Sequence, residues 1–139
     1  MFGWLLVPAG FVLVLFAVHL VKHLRRHSLQ HFNDLRRDTS RVVGQGELVD
    51  GSRHIAVAMA LGRSALYYEN SDMEASLDLA WIKEIEYENE LVSGQAVTPG
   101  KVLRIRSFGR MVEFILPESA IAQWQSNLPA LRLVRATGA

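Results

Sequence analysis

Four histidines recur at a spacing of four residues in the first quarter of the chain: His19, His23, His27 and His31. No glycine or proline occurs between Phe11 and Val43. The spacing therefore predicts a helix on which neighbouring imidazoles lie one turn apart on the same face. Two imidazoles in that relation can share a zinc ion or another borderline metal ion. No Asp or Glu lies between His19 and His31 to complete a ligand shell.

Three interpretations of these histidines stay open. His19 could ligate a haem or chlorophyll within a respiratory or photosynthetic complex. His19 and His23 could hold a metal ion. The histidines could instead form a polar face near anionic lipid headgroups, together with the basic residues Lys22, Arg25 and Arg26. We favour the last interpretation, and we therefore expect no resident cofactor.

His19 lies near the end of a long apolar stretch, and the other three histidines follow that stretch. Phe2 to Val21 contains no Asp, Glu, Lys or Arg, and a helix of about 20 such residues matches the thickness of a bilayer core. Lys22 follows at once, which is typical of a retained anchor. We predict a transmembrane helix over 1–21 in a bacterial inner membrane, with the N-terminus outside and residues 22–139 in the cytoplasm.

Small residues within this segment recur every seven positions: Gly3, Gly10 and Ala17. That spacing keeps them near one helix face, where another helix can approach closely. Beyond the segment, apolar residues at helical spacing make 22–40 an amphipathic juxtamembrane helix or stalk. We therefore predict helix packing through the three small residues, with integral membrane protein subunits as partners.

Composition excludes several functional classes. The 139 residues contain no Cys, which excludes disulfides and a thiol nucleophile. The net charge of +1 argues against nucleic-acid binding. No G-x-S-x-G elbow, P-loop or H-E-x-x-H motif occurs. We predict that the protein is not an enzyme and has no small-molecule substrate.

The hydrophobic period changes from 3.6 to 2 between Arg41 and Leu116, which predicts a β domain. The clearest predicted strands cover 54–61, 64–70, 75–79, 81–91, 102–107 and 110–116. A helix then opens at Pro117, with an apolar stripe of Ile121, Trp124 and Leu128. The domain is expected over 41–131, with a tail at 132–139.

About seven short strands followed by one amphipathic helix resemble a pleckstrin-homology-like (PH-like) domain. The resemblance implies a mainly-β, α+β fold: a bent seven-stranded antiparallel barrel capped by a C-terminal helix that carries a tryptophan. Trp124 matches that position, and Ile121 and Leu128 match its core-facing neighbours. The stretch from Glu47 to Arg53 lacks the basic cluster of phosphoinositide-binding relatives, so that activity is not carried over. A lipocalin-like or split-barrel sheet shows similar alternation.

Charge is segregated within the predicted domain. Residues 69–90 are strongly acidic and residues 101–110 are basic. Such faces can steer a partner and set its register, which identifies as docking residues Glu84, Glu86, Glu88, Glu90, Arg104, Arg106 and Arg110. The alternative is that these side chains form solvated faces or pair with each other across the sheet.

These patterns together predict an accessory or structural subunit of a larger membrane complex. Its transmembrane helix and its cytoplasmic PH-like domain would both contact partner subunits. Two other functions stay open: a membrane-surface module that senses lipid or pH through its histidines, and ligation of a haem or chlorophyll by His19.

Overall fold

Residues 3–132 are described by a computed structural model of the chain, apart from the side chains of residues 3–11, 25 and 26. Two α-helices are present, α1 over Gly3–Arg36 and α2 over Ile121–Asn127. Short 3-10 turns lie after α1 at Arg37–Thr39, between the fourth and fifth strands at Leu79–Trp81, and before α2 at Glu118–Ala120. The strands are β1 Val42–Asp50, β2 Arg53–Leu61, β3 Ala65–Asn70, β4 Met73–Asp78, β5 Ile82–Glu88, β6 Lys101–Ser107 and β7 Arg110–Leu116.

The seven strands form one antiparallel sheet in the order β4-β3-β2-β1-β7-β6-β5. β1 is the central strand: it pairs with β2 from Val42↔Leu61 to Asp50↔Arg53, whereas only Glu47–Val49 pair with β7. Gly51 and Gly109 have positive φ angles at the β1–β2 and β6–β7 turns, where a residue with a Cβ atom is strained. Tight turns at these glycines let neighbouring strands pair directly.

Alternation along the strands places one face of the sheet against a single core. Met59 of β2, Phe114 of β7 and Trp124 of α2 are fully buried in it. Trp124 packs over Gly44 of β1, where a Cβ atom would lie 3.3 Å from the indole Nε1. Gly44, which interrupts the helical pattern in the sequence, therefore makes room for the tryptophan of the closing helix.

The other face of β2 is covered as well, because α1 lies against it. Ala58 and Ala60 point away from the core yet are buried, and α1 contacts β2, β3 and β1. Alanine side chains allow a helix to approach the sheet closely. Among the described side chains of α1, Leu29 and Asn33 are buried in this contact. The helix predicted over 22–40 corresponds to the second half of α1, which ends at Arg36 and is docked on the sheet.

The predicted membrane anchor is not supported. Within the part of the chain that the structure describes, no helix combines the length and apolar character needed to cross a membrane. The prediction of a transmembrane helix over 1–21 is therefore wrong. The single-pass architecture, the inner-membrane location and the orientation that followed from it are wrong with it.

Several strand boundaries differ by one or two residues from those predicted, and two larger differences have a structural reason. The fifth strand ends at Glu88 and not at Leu91, because Leu91 turns away to pack with Val97 and Val102 in a small second cluster. The C-terminal helix begins at Ile121 and not at Pro117, because a 3-10 turn over Glu118–Ala120 intervenes. The tail at 133–139 lies outside the described residues.

Candidate functional site

The end of α1 is held on the sheet by an arginine. Arg36 Nε donates to Glu69 Oε1 at 2.6 Å, and its Nη2 donates to Oε2 at 3.3 Å. The guanidinium carbon also lies 4.0 Å from the centre of the Tyr67 ring. The hydrogen bond to Glu69 raises the pKa of Arg36, against an opposing effect of burial. Because Glu69 is buried on β3, this bidentate pair fixes both the position and the direction of the helix.

Among the described residues, positions 12–20 of α1 have no such support. Between Val12 and Val21, large apolar side chains on every side of the helix are 45% to 68% exposed: Val12, Leu13, Val14, Leu15, Phe16, Val18, Leu20 and Val21. Successive helical residues point about 100° apart, so this surface surrounds the helix. A continuous exposed apolar surface is characteristic of an interaction site. We call residues 12–21 the apolar segment.

Two clefts flank α1 where it meets the sheet. The larger, of about 700 Å³, lies between α1, the outer surface of β1 and β2, and the loop at 95–99. Its polar lining includes Lys22, Gln45, Glu47 and His54, with His54 Nδ1 3.5 Å from Glu47 Oε2. The smaller, of about 460 Å³, lies between α1 and the β3–β4 turn. Both clefts are open to solvent. Among the described hydrogen bonds, the Ser and Thr hydroxyls donate to backbone carbonyls and not to a side chain that could act as a general base.

Several of the predicted docking charges pair with each other across the sheet. Arg104 on β6 lies 3.2 Å from Glu86 on β5 and 3.1 Å from Glu113 on β7. Arg106 lies 3.3 Å from Glu84. These side chains stabilise the β5–β6–β7 half of the sheet, as the alternative interpretation of the charge pattern expects. Of the remaining predicted docking residues, Glu90 and Arg110 are exposed and Glu88 is half-buried.

Glu113 was missed by the sequence analysis. It is 5% exposed, and its Oε2 accepts hydrogen bonds from Arg104 Nε and from the backbone N–H of Val92. Arg104 also donates to the carbonyl of Glu90 at 3.0 Å. The signal in the sequence was an acid between Val112 and Phe114, directly opposite Arg104 in the hairpin. This network fastens the β5–β6 loop to the sheet.

A second exposed surface, also missed, lies near the β6–β7 turn. Trp81 and Phe108 are 60% and 61% exposed, and their ring centres are 6.4 Å apart in an edge-to-face arrangement. Lys83 Nζ lies 4.4 Å from the centre of the Phe108 ring. A cavity of about 630 Å³ opens beside them, with Asp78 and Arg110 in its lining. Single aromatic residues give little periodic signal, which is why the sequence did not indicate this surface.

The remaining predicted site residues fall into three groups. Trp124 and Leu128 are buried in the core, and Ile121 packs against it. Ala17 and Lys22 are exposed on α1. The surroundings of Gly3, Gly10, Arg25 and Arg26 lie outside what the structure describes, so the predicted packing of the small residues stays a prediction.

The histidines His19, His23, His27 and His31 are all exposed on α1. The His23 and His27 ring centres lie 5.8 Å apart at an interplanar angle of 80°. Across the described residues, no cluster of three or more His, Cys, Asp or Glu side chains could hold a metal ion. The expectation of no resident cofactor stays a prediction, and a haem, chlorophyll or metal ion at His19 stays an untested alternative. The PH-like resemblance also stays a prediction, since comparison of the chain with protein-family models, curated proteins and solved structures gives no match.

Proposed function

We propose that this chain is a non-catalytic accessory subunit of a larger protein complex. In this proposal the apolar segment at 12–21 is covered by helices of a partner protein, and the β domain is the rigid platform that holds α1 in place. The single observation that supports the proposal is the exposure of the apolar segment on all sides. Apolar surface of this extent is unfavourable in water.

The geometry of α1 explains why the partner is expected to be another protein chain. The docked half of the helix is clamped through Arg36 and Glu69, so the apolar segment projects from the sheet in a defined direction. Leu29, on the docked half, is covered by the sheet, whereas Leu13 and Phe16 have no covering element within the described chain. A projecting helix with unsatisfied apolar surface fits the grooves between helices of a partner.

The test compares two charge substitutions on the same helix. Phe16→Asp places a carboxylate in the apolar segment, and Gln30→Asp places one at an exposed polar position of the docked half. Each full-length chain carries a C-terminal tag and is expressed in place of the original protein. Cells are then extracted with mild detergent, and the extract is separated by native gel electrophoresis.

We expect the original chain and Gln30→Asp to migrate in one discrete large band with defined partner proteins. Phe16→Asp should migrate as a monomer or small oligomer, because burying an unpaired carboxylate in an apolar interface is costly. Far-UV circular dichroism of the purified variants checks that the β domain stays folded. A monomeric original chain, or an unchanged large band for Phe16→Asp, would overturn the proposal. Binding of the isolated chain to lipid vesicles without any protein partner would favour the lipid- or pH-sensing function instead.

A further inference from the structure

His23 and His27 form a pair on the free side of α1. Both imidazoles are exposed, whereas Leu29 and Asn33 face the sheet. The rings lie one helical turn apart with their centres 5.8 Å from each other. The pair is therefore accessible to an ion from solvent, and it belongs neither to the core nor to the clefts beside the sheet.

The described charges near the pair do not engage its nitrogens. No carboxylate is within ion-pairing distance of either histidine among the described residues; the nearest acid along the helix, Asp34, pairs with Arg37 at 3.4 Å. Lys22, the neighbour of His23, lines the cleft between α1 and β1. His31 differs from the pair, because its ring packs edge-on against Phe32.

The two imidazole nitrogens determine which class of metal ion the pair can bind. A neutral imidazole nitrogen binds late first-row divalent ions at about 2.0–2.1 Å for zinc, and such sites follow an affinity order that peaks at Cu²⁺. Two histidines four residues apart on a helix are a known chelating arrangement when further donors complete the shell. The ring centres are 5.8 Å apart, so rotation of the two side chains can bring one nitrogen of each ring towards a shared ion.

We propose that His23 and His27 form a two-imidazole binding site for a divalent transition-metal ion, with Cu²⁺ bound more tightly than Zn²⁺. Water occupies the other coordination positions in the isolated chain. This inference does not depend on the accessory-subunit function, because it concerns the exposed side of α1 and not the apolar segment.

The test uses two double variants that each remove two of the four helical histidines. H23N/H27N eliminates every pair separated by four residues, whereas H19N/H31N keeps the His23–His27 pair intact. A third variant, His54→Asn, removes the histidine on β2 as a control for unspecific imidazole binding. The tag-free full chain in mild detergent is titrated with CuCl₂ and, separately, with ZnCl₂ by isothermal titration calorimetry. Electron paramagnetic resonance of the Cu²⁺ sample counts the nitrogens bound to the ion.

We expect one Cu²⁺ per chain with two nitrogen ligands in the original protein, in H19N/H31N and in His54→Asn. H23N/H27N should weaken Cu²⁺ binding at least about tenfold, because a single imidazole cannot chelate. Zn²⁺ should follow the same pattern with lower affinity. Equal weakening in the two double variants would overturn the proposal, since it would show independent binding to single histidines. A spectrum with one nitrogen, or an absence of saturable binding, would overturn it too. Unchanged far-UV circular dichroism shows that the helix is retained in each variant.

Discussion

The two halves of α1 contain similar apolar residues in opposite environments. Leu13 in the apolar segment is 68% exposed, whereas Leu29 in the docked half is 6% exposed. The difference does not arise from the residue type or from the helix itself. The docked half meets a sheet surface that is lined with small alanines and closed by the Arg36–Glu69 pair. In the apolar segment, Val21 lines the smaller cleft beside the sheet, whereas Leu13 and Phe16 have no covering element within the described chain. The core of the β domain is therefore complete without residues 12–20 of α1.

The largest loss of stability is expected when the buried side chain of Trp124 is removed. Trp124→Ala should destabilise the protein by about 3–5 kcal/mol, because it removes a fully buried indole and leaves a cavity over Gly44. Trp81→Ala is the matched control: the same substitution at a 60% exposed position should cost less than about 1 kcal/mol. Urea unfolding followed by far-UV circular dichroism measures both. Equal losses of stability in the two variants would show that the difference in burial between Trp124 and Trp81 does not determine their contributions.

A smaller loss of stability is expected when the Arg36–Glu69 ion pair between α1 and the sheet is removed. Arg36→Ala leaves the buried carboxylate of Glu69 without its bidentate partner and should cost about 1–3 kcal/mol. Arg53→Ala is the control, because its pair with Asp50 is exposed and contributes at most about 0.5 kcal/mol. Hydrogen exchange should also become faster in the last turns of α1 in Arg36→Ala. Unchanged exchange there would mean that the helix is held by apolar packing alone.

The smallest effect at neutral pH is expected for Tyr87, whose hydroxyl donates to the carbonyl of Leu128 at 2.6 Å. Tyr87→Phe should cost about 1 kcal/mol at pH 7, because one hydrogen bond is lost. Burial raises the pKa of Tyr87 above the ordinary tyrosine value of about 10. Above that pH the unfolded chain loses a proton that the folded chain keeps, so stability is intact below pH 10 and falls as the pH rises.

Tyr87→Phe should therefore make the alkaline loss of stability shallower than in the original protein. Some loss of stability with rising pH remains in this variant, because burial also raises the pKa of Tyr68. Urea unfolding between pH 8 and about pH 11.5 measures the slope. An equally steep loss in Tyr87→Phe would show that Tyr87 ionises alike in the folded and unfolded chains.

Much of the β domain could be predicted because its signals are local. The alternation of apolar residues predicted strands at 102–107 and 110–116, and β7 covers the predicted residues 110–116. The end of β5 could not be read in the same way. Leu91 continues the alternation in sequence, but its side chain packs with Val97 and Val102 once the loop folds back.

The charged residues show where local patterns are insufficient. The sequence indicated an acidic stretch and a basic stretch but not whether they face a partner or each other. Strand order decides this, because β5 and β6 are neighbours and place Arg104 opposite Glu86. The contribution of Glu113 depends on β7 lying on the other side of β6. Neither neighbour follows from the composition of a single strand.

The sequence by itself determined the uninterrupted helical run, the alternating strands, the turn glycines and the spacing of the histidines, because each depends on residues within a few positions of one another. Only the tertiary structure decided which apolar and charged side chains are covered. Arg36 and Glu69 are 33 positions apart, and their contact exists because β2 and β3 carry Glu69 beneath the end of α1. Burial and ion pairing depend on which elements are brought within a few ångströms, and that information is not contained in any one segment.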